Sequence, residues 1–554
     1  MKDIKLFLIL ITAFIFIKCS SVEEISLQDE FVNKSELFNA NIDSFNQEFK
    51  LPAVTKVESA VIDSSDSTIS IEFNRNFAVV PLREENVSEI YNFVKNSFGP
   101  RFENYNFKIT SLGYPIENLI PNFYLTDKTK VDSSKLPKGK IEQIPIVQNA
   151  SKSLKLIKGM AGRNILLWHS HGWYYNNKEK RWMWQRARLF QTVEDVGPMS
   201  FTIPYLIPML ENAGANVFVP RERDIQLNEV IVDNDFGNQE SYQEKTFSEN
   251  SFWKTSVLKG FALKNPTIKE GENPFRQGSS RYTRSMINPL ATASWFPIIP
   301  QKGDYAVYIS YQSSDSNVTD ANYKVIHSGG ETEFIVNQTI GGGTWIYLGT
   351  FKFDKGNKKS QGVVLSNKSK DVDKIVSADA VRFGGGLGIV EREGTTSGRP
   401  KFVEGSRYWL QYAGMPDTLT YNLNKNSDDY KDDYQSRAEY GNYLYGAPFG
   451  PNRNRDAKGL GMPIDLSLAF HTDAGITRND TAIGTLMIYT IAGLDTQNVF
   501  PDGGSRLANR DLSDIVQTQI VNDIRNLYDS TWTRRQLMNA NYSESARPNF
   551  PSMI

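Results

Sequence analysis

Residues 164–172 read NILLWHSHG. Asn164-Ile165-Leu166-Leu167-Trp168 is a short apolar run of the kind that fills a buried strand. It runs into His169 and His171, with Gly172 behind them. A polar, aromatic loop follows, then Thr192-Val193-Glu194-Asp195. Met199, Ile203, Leu206, Ile207 and Leu210 recur at helical spacing, but Pro204 and Pro208 predict a kinked or broken helix. Gly214 serves as its C-cap, and Asn216 opens another strand. This is the pattern of a βαβ unit. In parallel sheets, ligands bind beyond the strand C-termini, which is where His171 falls.

A second apolar run, residues 465–470, ends at His471. Helical patterns cover 406–414 and 428–444, and 511–528 carries an amphipathic stripe through Leu512, Ile515, Val516, Ile520, Ile524 and Leu527. The expectation is an α/β catalytic domain, a mostly parallel sheet flanked by helices, in two pieces at 161–244 and 393–554. Between 245 and 392 the character changes. Tyr305, Val307, Ile309 and Tyr311 alternate, as do Phe334 and Val336, and glycine triplets at 341–343 and 384–386 punctuate the strands. That segment predicts an inserted all-β sandwich. Residues 52–160 predict a small N-terminal α/β domain, with an alternating strand at 68–73 and a helical stripe through Val87, Ile90, Phe93 and Val94. Residues 20–51 are polar without sustained periodicity and predict a tether.

Residues 1–19 read as an export signal. Lys2 and Lys5 precede a run from Leu6 to Ile17 that is apolar except at Thr12, too short to span a bilayer as a mature helix. Cys19 follows it and is the chain's one cysteine, so no disulfide forms within the chain. Its place suggests a bacterial lipoprotein acylated at Cys19. Lys18, where lipoproteins carry a small residue, leaves an ordinary signal peptide open. The expectation is an exported protein of the cell envelope, an outer-membrane or periplasmic lipoprotein held to the membrane by lipid only. The net charge of −1 provides no field to draw in nucleic acid. Aromatics at 12% suit flat sugar faces and a large core equally.

The chain has four histidines: His169, His171, His327 and His471. A hydrolytic zinc centre needs about three protein ligands from His and carboxylate, plus an open position for water. His171, Glu194 and His471 supply a His₂Glu set. The other reading of each histidine is a hydrogen-bonded structural residue.

These motifs resemble those of the zinc-dependent N-acetylmuramoyl-L-alanine amidases. NILLWHSHG is similar to the family's strand and His-Gly motif, and Glu194 to its Glu. LENAGANV at 210–217 resembles its small-residue turn. Arg221 and Asp224 in PRERD resemble the Arg and Asp after the next strand, and LSLAFHTDAG at 466–475 resembles the second His motif. The resemblance implies that His171, Glu194 and His471 hold Zn²⁺ and that an amide bond of peptidoglycan is cut. It places Arg221 and Asp224 around the ligands. The chain departs from the family at Trp168-His169-Ser170, where Asp-Pro-Gly is usual. The gap between Glu194 and His471 is also longer, as an insertion requires. The resemblance puts a further catalytic Glu on a strand that begins near 550–554 and continues past Ile554. Within the chain, Glu544 is the nearest candidate catalytic carboxylate, a solvated surface group being the other reading. His169 shares a strand face with His171 and either supports the ligands or is structural. Asp473 either orients a ligand or the water, or caps its loop.

YKVIHSGGETEFIVNQTIGGGTWIYLG at 323–349, with ADAVRF at 378–383, is similar to the golvesin C-terminal-like domain, which accompanies proteins often labelled xanthan lyase. It implies a glycan partner, peptidoglycan or another envelope glycan. Asn337, Gln338, Trp345 and Tyr347 are candidate contacts, with sandwich packing the other reading of Trp345. His327 falls in this segment as a structural residue. Two further functions stay open. One is a polysaccharide lyase, which needs a base beside a uronate, and the other is a non-catalytic glycan-binding surface protein.

Overall fold

A computed structural model of the chain describes residues 26–138, 145–153, 156, 158–188, 193–235, 241–247, 252–446, 459–472 and 483–554. These fall into two units. The first ends at Ala78 and resumes for Glu84–Ile116; the second comprises Val79–Arg83 and Glu117–Ile554.

In the first unit, Leu27–Ala40 and Ile42–Glu48 are helices, which corrects the predicted tether. The Ser26 hydroxyl starts the first helix by accepting the Asp29 N–H at 3.1 Å. Phe31, Phe38 and Phe45 are all buried, and Phe45 stacks on Phe73 with ring centroids 5.3 Å apart. Each such burial contributes about 1.5–3 kcal/mol. Three aromatics at seven-residue intervals therefore order a segment whose average composition is polar. The sheet beside them runs Val57–Asp63, Thr68–Phe73, Asn106–Ser111, Tyr114–Pro115. The Glu84–Phe98 helix buries Val87, Ile90, Val94 and Phe98 in the same unit.

In the second unit, the expected α/β catalytic domain built on a mostly parallel sheet is corrected. Among the described residues the sheets are mainly small and antiparallel. Wholly parallel pairing is confined to one four-stranded sheet and one two-stranded ribbon. The physical reason is a shortage of fully buried strands. A parallel sheet covered on both faces needs near-continuous apolar runs. Asn164–His169 is such a run, buried at every position. Leu466–Phe470 is only alternately buried, Asn216–Phe218 has three residues and Ser552–Met553 has two. These four strands lie in the order 552–553, 466–470, 164–169, 216–218.

Most of the remaining strands belong to the sandwich. One sheet pairs Val230–Val232, Val381–Phe383, Gly303–Ile309 and Ile346–Phe353. A six-stranded antiparallel sheet ends on Val147–Asn149, which pairs with Gly330–Val336. The sandwich thus recruits strands from outside the predicted 245–392. Its core also continues into the parallel sheet: Leu166, Trp168, Ala469 and Phe550 share one buried cluster with Trp295, Tyr305 and Phe334.

The proline-bearing segment stays helical from Gly197 to Asn212. It passes through a π-helical stretch, Thr202–Leu206, between two α-helical turns. The wider turn accommodates the donors missing at Pro204 and Pro208, so the expected break becomes a local change of winding.

Candidate metal centre

The parallel sheet brings the two histidine motifs together. Phe470 pairs with His169 across neighbouring strands, and His171 and His471 each lie just past their strand. The rings of His171 and His471 stand 5.0 Å apart, centroid to centroid. Between His169 and His171, Ser170 adopts φ +53°, the left-handed region that non-glycine residues seldom enter. That turn ends the strand and separates the fates of the two histidines.

Glu194 lies in the segment that leads into the Gly197–Phe201 helix. Its Oε1 is the shared acceptor of the cluster. Ser170 Oγ donates to it at 2.9 Å, His471 Nδ1 lies 2.9 Å away and His171 Nε2 3.4 Å away. Its Oε2 pairs with Arg186 Nε at 3.3 Å. One donor atom each from His171, Glu194 and His471 lies within 4.8 Å of the others, the one such group found among the described residues. Three donors about 2.1 Å from a single ion at tetrahedral angles stand about 3.4 Å apart. The cluster therefore fits a divalent ion in donor type and closely in spacing.

The two histidines differ in charge. Burial lowers His171 to about 4, against the opposing pull of Glu194, so its imidazole is neutral at pH 7, the form that ligates a metal. Burial also pulls His471 down, but Glu544 and Glu194 outweigh it and hold the ring up at about 9. Glu194 would be raised by burial; the two histidines reverse this and keep it well below the ordinary carboxylate range. One proton thus sits on His471 between two carboxylates, where a divalent cation would compete for the same charge.

Glu544 is 9% exposed, which corrects its surface reading. Its Oε2 lies 3.0 Å from His471 Nε2, and its Oε1 accepts from Trp168 Nε1 at 2.8 Å and Arg437 Nη1 at 2.7 Å. Arg437, on the Asp429–Tyr445 helix, also bonds Asp433 Oδ2 at 2.6 Å and reaches His171 Nδ1 at 3.2 Å. Sequence reasoning missed Asp433 and Arg437. Their signal was an Asp and an Arg four residues apart, which ordinarily marks a solvated helix face.

The other expected site residues divide. Arg221 is buried; its Nη1 donates to the His169 carbonyl at 2.8 Å and also to the His171 carbonyl. It therefore fixes the backbone on both sides of Ser170. His169 is fully buried, and neither ring nitrogen has a hydrogen-bond partner among the described residues. Asp224 is corrected too: its carboxylate accepts the Ala306 N–H at 2.7 Å and the Gln226 N–H at 2.9 Å, anchoring the sandwich and not the ligands. Gln338 is buried and bonded to Tyr323 and Ser377, and Asn337 is buried and accepts from Thr339. Trp345 packs on Phe261 and Phe275, with ring centroids at 4.7 and 5.1 Å. The Arg223 guanidinium lies 4.0 Å over the Tyr347 ring. Both residues line a cavity of about 790 Å³ together with Arg223 and Trp409. His327 Nε2 lies 3.0 Å from the Thr332 hydroxyl, away from the cluster. Asp473 and Cys19 lie outside the described residues.

Residues 268–385 match the family described as Golvesin C-terminal domain. A xanthan lyase from Bacillus sp. (strain GL1) is 32% identical over 93 residues, 17% of this chain and 10% of that protein. The chain therefore spans about a tenth of the length of this curated relative. Among solved structures, a Paenibacillus xanthan lyase is similar at 22% identity over 28% of this chain and 13% of its own, with a TM-score of 0.22. A carbohydrate binding module from Cellvibrio mixtus lichenase 5A, in complex with cellotriose, is similar at 12% identity over 29% of this chain and 98% of its own, with a TM-score of 0.17.

Proposed function

We propose that this chain is a metal-dependent hydrolase of the bacterial cell envelope that works on a glycan-bearing polymer. The bond we assign to it is the amide between muramic acid and L-alanine in peptidoglycan. One observation carries the reading: His171, Glu194 and His471, far apart in sequence, place three ligand atoms within 4.8 Å of one another. Zinc, the ion this donor set suits, supplies when bound a Lewis acid and an activated water. The chain's own residues do the rest. His171 and His471 offer imidazole nitrogens and Glu194 a carboxylate oxygen held by Ser170. Arg221 keeps the backbone of the His169–His171 turn in place. Asp473, two residues after His471, is proposed to orient a ligand or the water. The Golvesin C-terminal domain match supports a polysaccharide-related role for the sandwich. Export, with a lipid at Cys19, would bring the chain to such a polymer.

The test uses purified sacculi. Release of free amino groups is measured on the whole protein, after chelation and after zinc add-back. Activity should vanish with chelator and return with zinc. Amide cleavage that survives His171→Ala and His471→Ala would refute the proposal.

A second reading is a polysaccharide lyase or a non-catalytic glycan-binding protein. The likeness to xanthan lyase favours it, and the comparisons speak for this side more than for the amide. The Golvesin C-terminal domain match covers residues 268–385, while the cluster lies in another part of the chain, and function is argued from the site. Formation of an unsaturated uronate, seen by its ultraviolet absorbance on a uronate-containing polysaccharide, decides for the lyase. Glycan retention with no product and no metal decides for the binding protein.

A further inference from the structure

Resting on the metal reading above, we infer that Glu544 is a positioning residue that sets which nitrogen His471 offers to the ion. The His471 ring stands between two carboxylates, with Nδ1 2.9 Å from Glu194 Oε1 and Nε2 3.0 Å from Glu544 Oε2. A histidine that ligates through one nitrogen donates its other N–H to an acceptor, and that acceptor fixes the tautomer. Glu544 Oε2, in ion-pair contact with Nε2, is the acceptor we assign to it, leaving the Nδ1 lone pair for the ion beside Glu194 and His171.

Glu544 is itself held. Its Oε1 takes two donors, Trp168 Nε1 and Arg437 Nη1, and Arg437 is anchored by Asp433. Both carboxylate oxygens are thus engaged, so Glu544 acts through His471 and not on the substrate. The anchors also account for two departures from the amidase-like motif. Trp168 steadies Glu544, and Ser170 steadies Glu194. The unusual Trp168-His169-Ser170 segment carries the supports of both carboxylates.

Metal affinity of the full chain, read by competition with a chromogenic chelator, tests this, together with the visible spectrum of the Co²⁺-loaded protein. The deciding variant is Glu544→Gln, which conserves shape. With Oε1 still facing Trp168 and Arg437, the carboxamide N–H₂ faces Nε2 and drives the ring proton to Nδ1. A purely structural Glu544 would tolerate this change. The inference expects affinity to fall about 10–100-fold and the Co²⁺ bands to shift. If Glu544→Gln fails to fold, Trp168→Phe, which loosens Glu544 without removing it, should weaken binding by about tenfold. Wild-type affinity and an unchanged Co²⁺ spectrum in the folded variant would overturn the inference while the metal reading stands. A wild-type chain that binds no divalent ion would overturn both.

Discussion

Trp168 Nε1 and Glu544 Oε1 stand 2.8 Å apart, although 376 residues separate them in the chain. The contact joins the end of the buried Asn164–His169 strand to the short Ser543–Ala546 helix. It couples the parallel sheet to the carboxylate behind His471, so it bears on stability as well as on the site.

Trp168→Phe should therefore destabilise the fold even without metal. The lost bond runs from a neutral donor to a buried carboxylate, worth about 1.5–3 kcal/mol. Trp168 is also fully buried, so the smaller ring leaves a space that adds to the cost. Urea denaturation should show a lower midpoint at an unchanged slope. An unaltered midpoint would mean that the contact contributes nothing net.

Metal loading should depend on all three proposed ligands. The whole chain is expected to hold one equivalent of divalent ion by elemental analysis. His171→Ala, Glu194→Gln and His471→Ala should each lose it. Added zinc at about a hundred times its Kd should stabilise the wild type by about 2.7 kcal/mol and leave the variants unmoved. Equal metal content in wild type and all three variants would remove the cluster from consideration.

The three residues of the cluster stood out because His171 and His471 each follow a short apolar run and Glu194 precedes a helix, all local signals. What surrounds them was not. Asp433 and Arg437 look like a surface pair in sequence and become buried only because the Asp429–Tyr445 helix packs against the site. Glu544 gains its partners through contacts more than a hundred residues away in the chain, which no local pattern carries. Strand direction was likewise hidden. Alternation shows a half-buried strand but not its neighbour, so the extent of antiparallel pairing emerged only from the sheets. The predicted tether failed for the opposite reason: Phe31, Phe38 and Phe45 formed a regular apolar stripe that a polar average concealed.

Asp379 should tie stability to pH. It is fully buried, and its carboxylate accepts the Phe261 N–H at 3.0 Å and the Ser310 hydroxyl at 2.9 Å. Burial pushes it up to about 7, against an ordinary 3.8. The folded state therefore holds a proton that the unfolded chain releases. This contribution is full below about pH 4 and is lost as the pH rises through about 7. Relative to Asp379→Asn, the wild type should lose up to roughly 1.4 kcal/mol per pH unit across that window. Urea midpoints of both proteins at about pH 5, 6 and 7 measure it. A constant difference between them would rule out the shift.

Arg382 should be the costliest single charge to remove from the sandwich. Its side chain is fully buried; it pairs with Glu222 at 2.5 Å and lies 3.8 Å over the Tyr308 ring and 4.9 Å from that of Trp409. Glu222 also accepts from the Tyr308 hydroxyl at 2.7 Å, so the three groups form one buried unit. Arg382→Met would leave the Glu222 carboxylate buried without its cation, a loss of about 3–5 kcal/mol. Replacing both partners with apolar residues, Arg382→Met with Glu222→Leu, removes the charge together with its counter-charge and should recover most of that loss. The double-mutant cycle, read from denaturation midpoints, is therefore expected to show strong coupling. Simple addition of the two single losses would mean that each charge is solvated or paired independently of the other. The continuity between the Val381–Phe383 strand and the Glu222 loop would then rest on the apolar core alone.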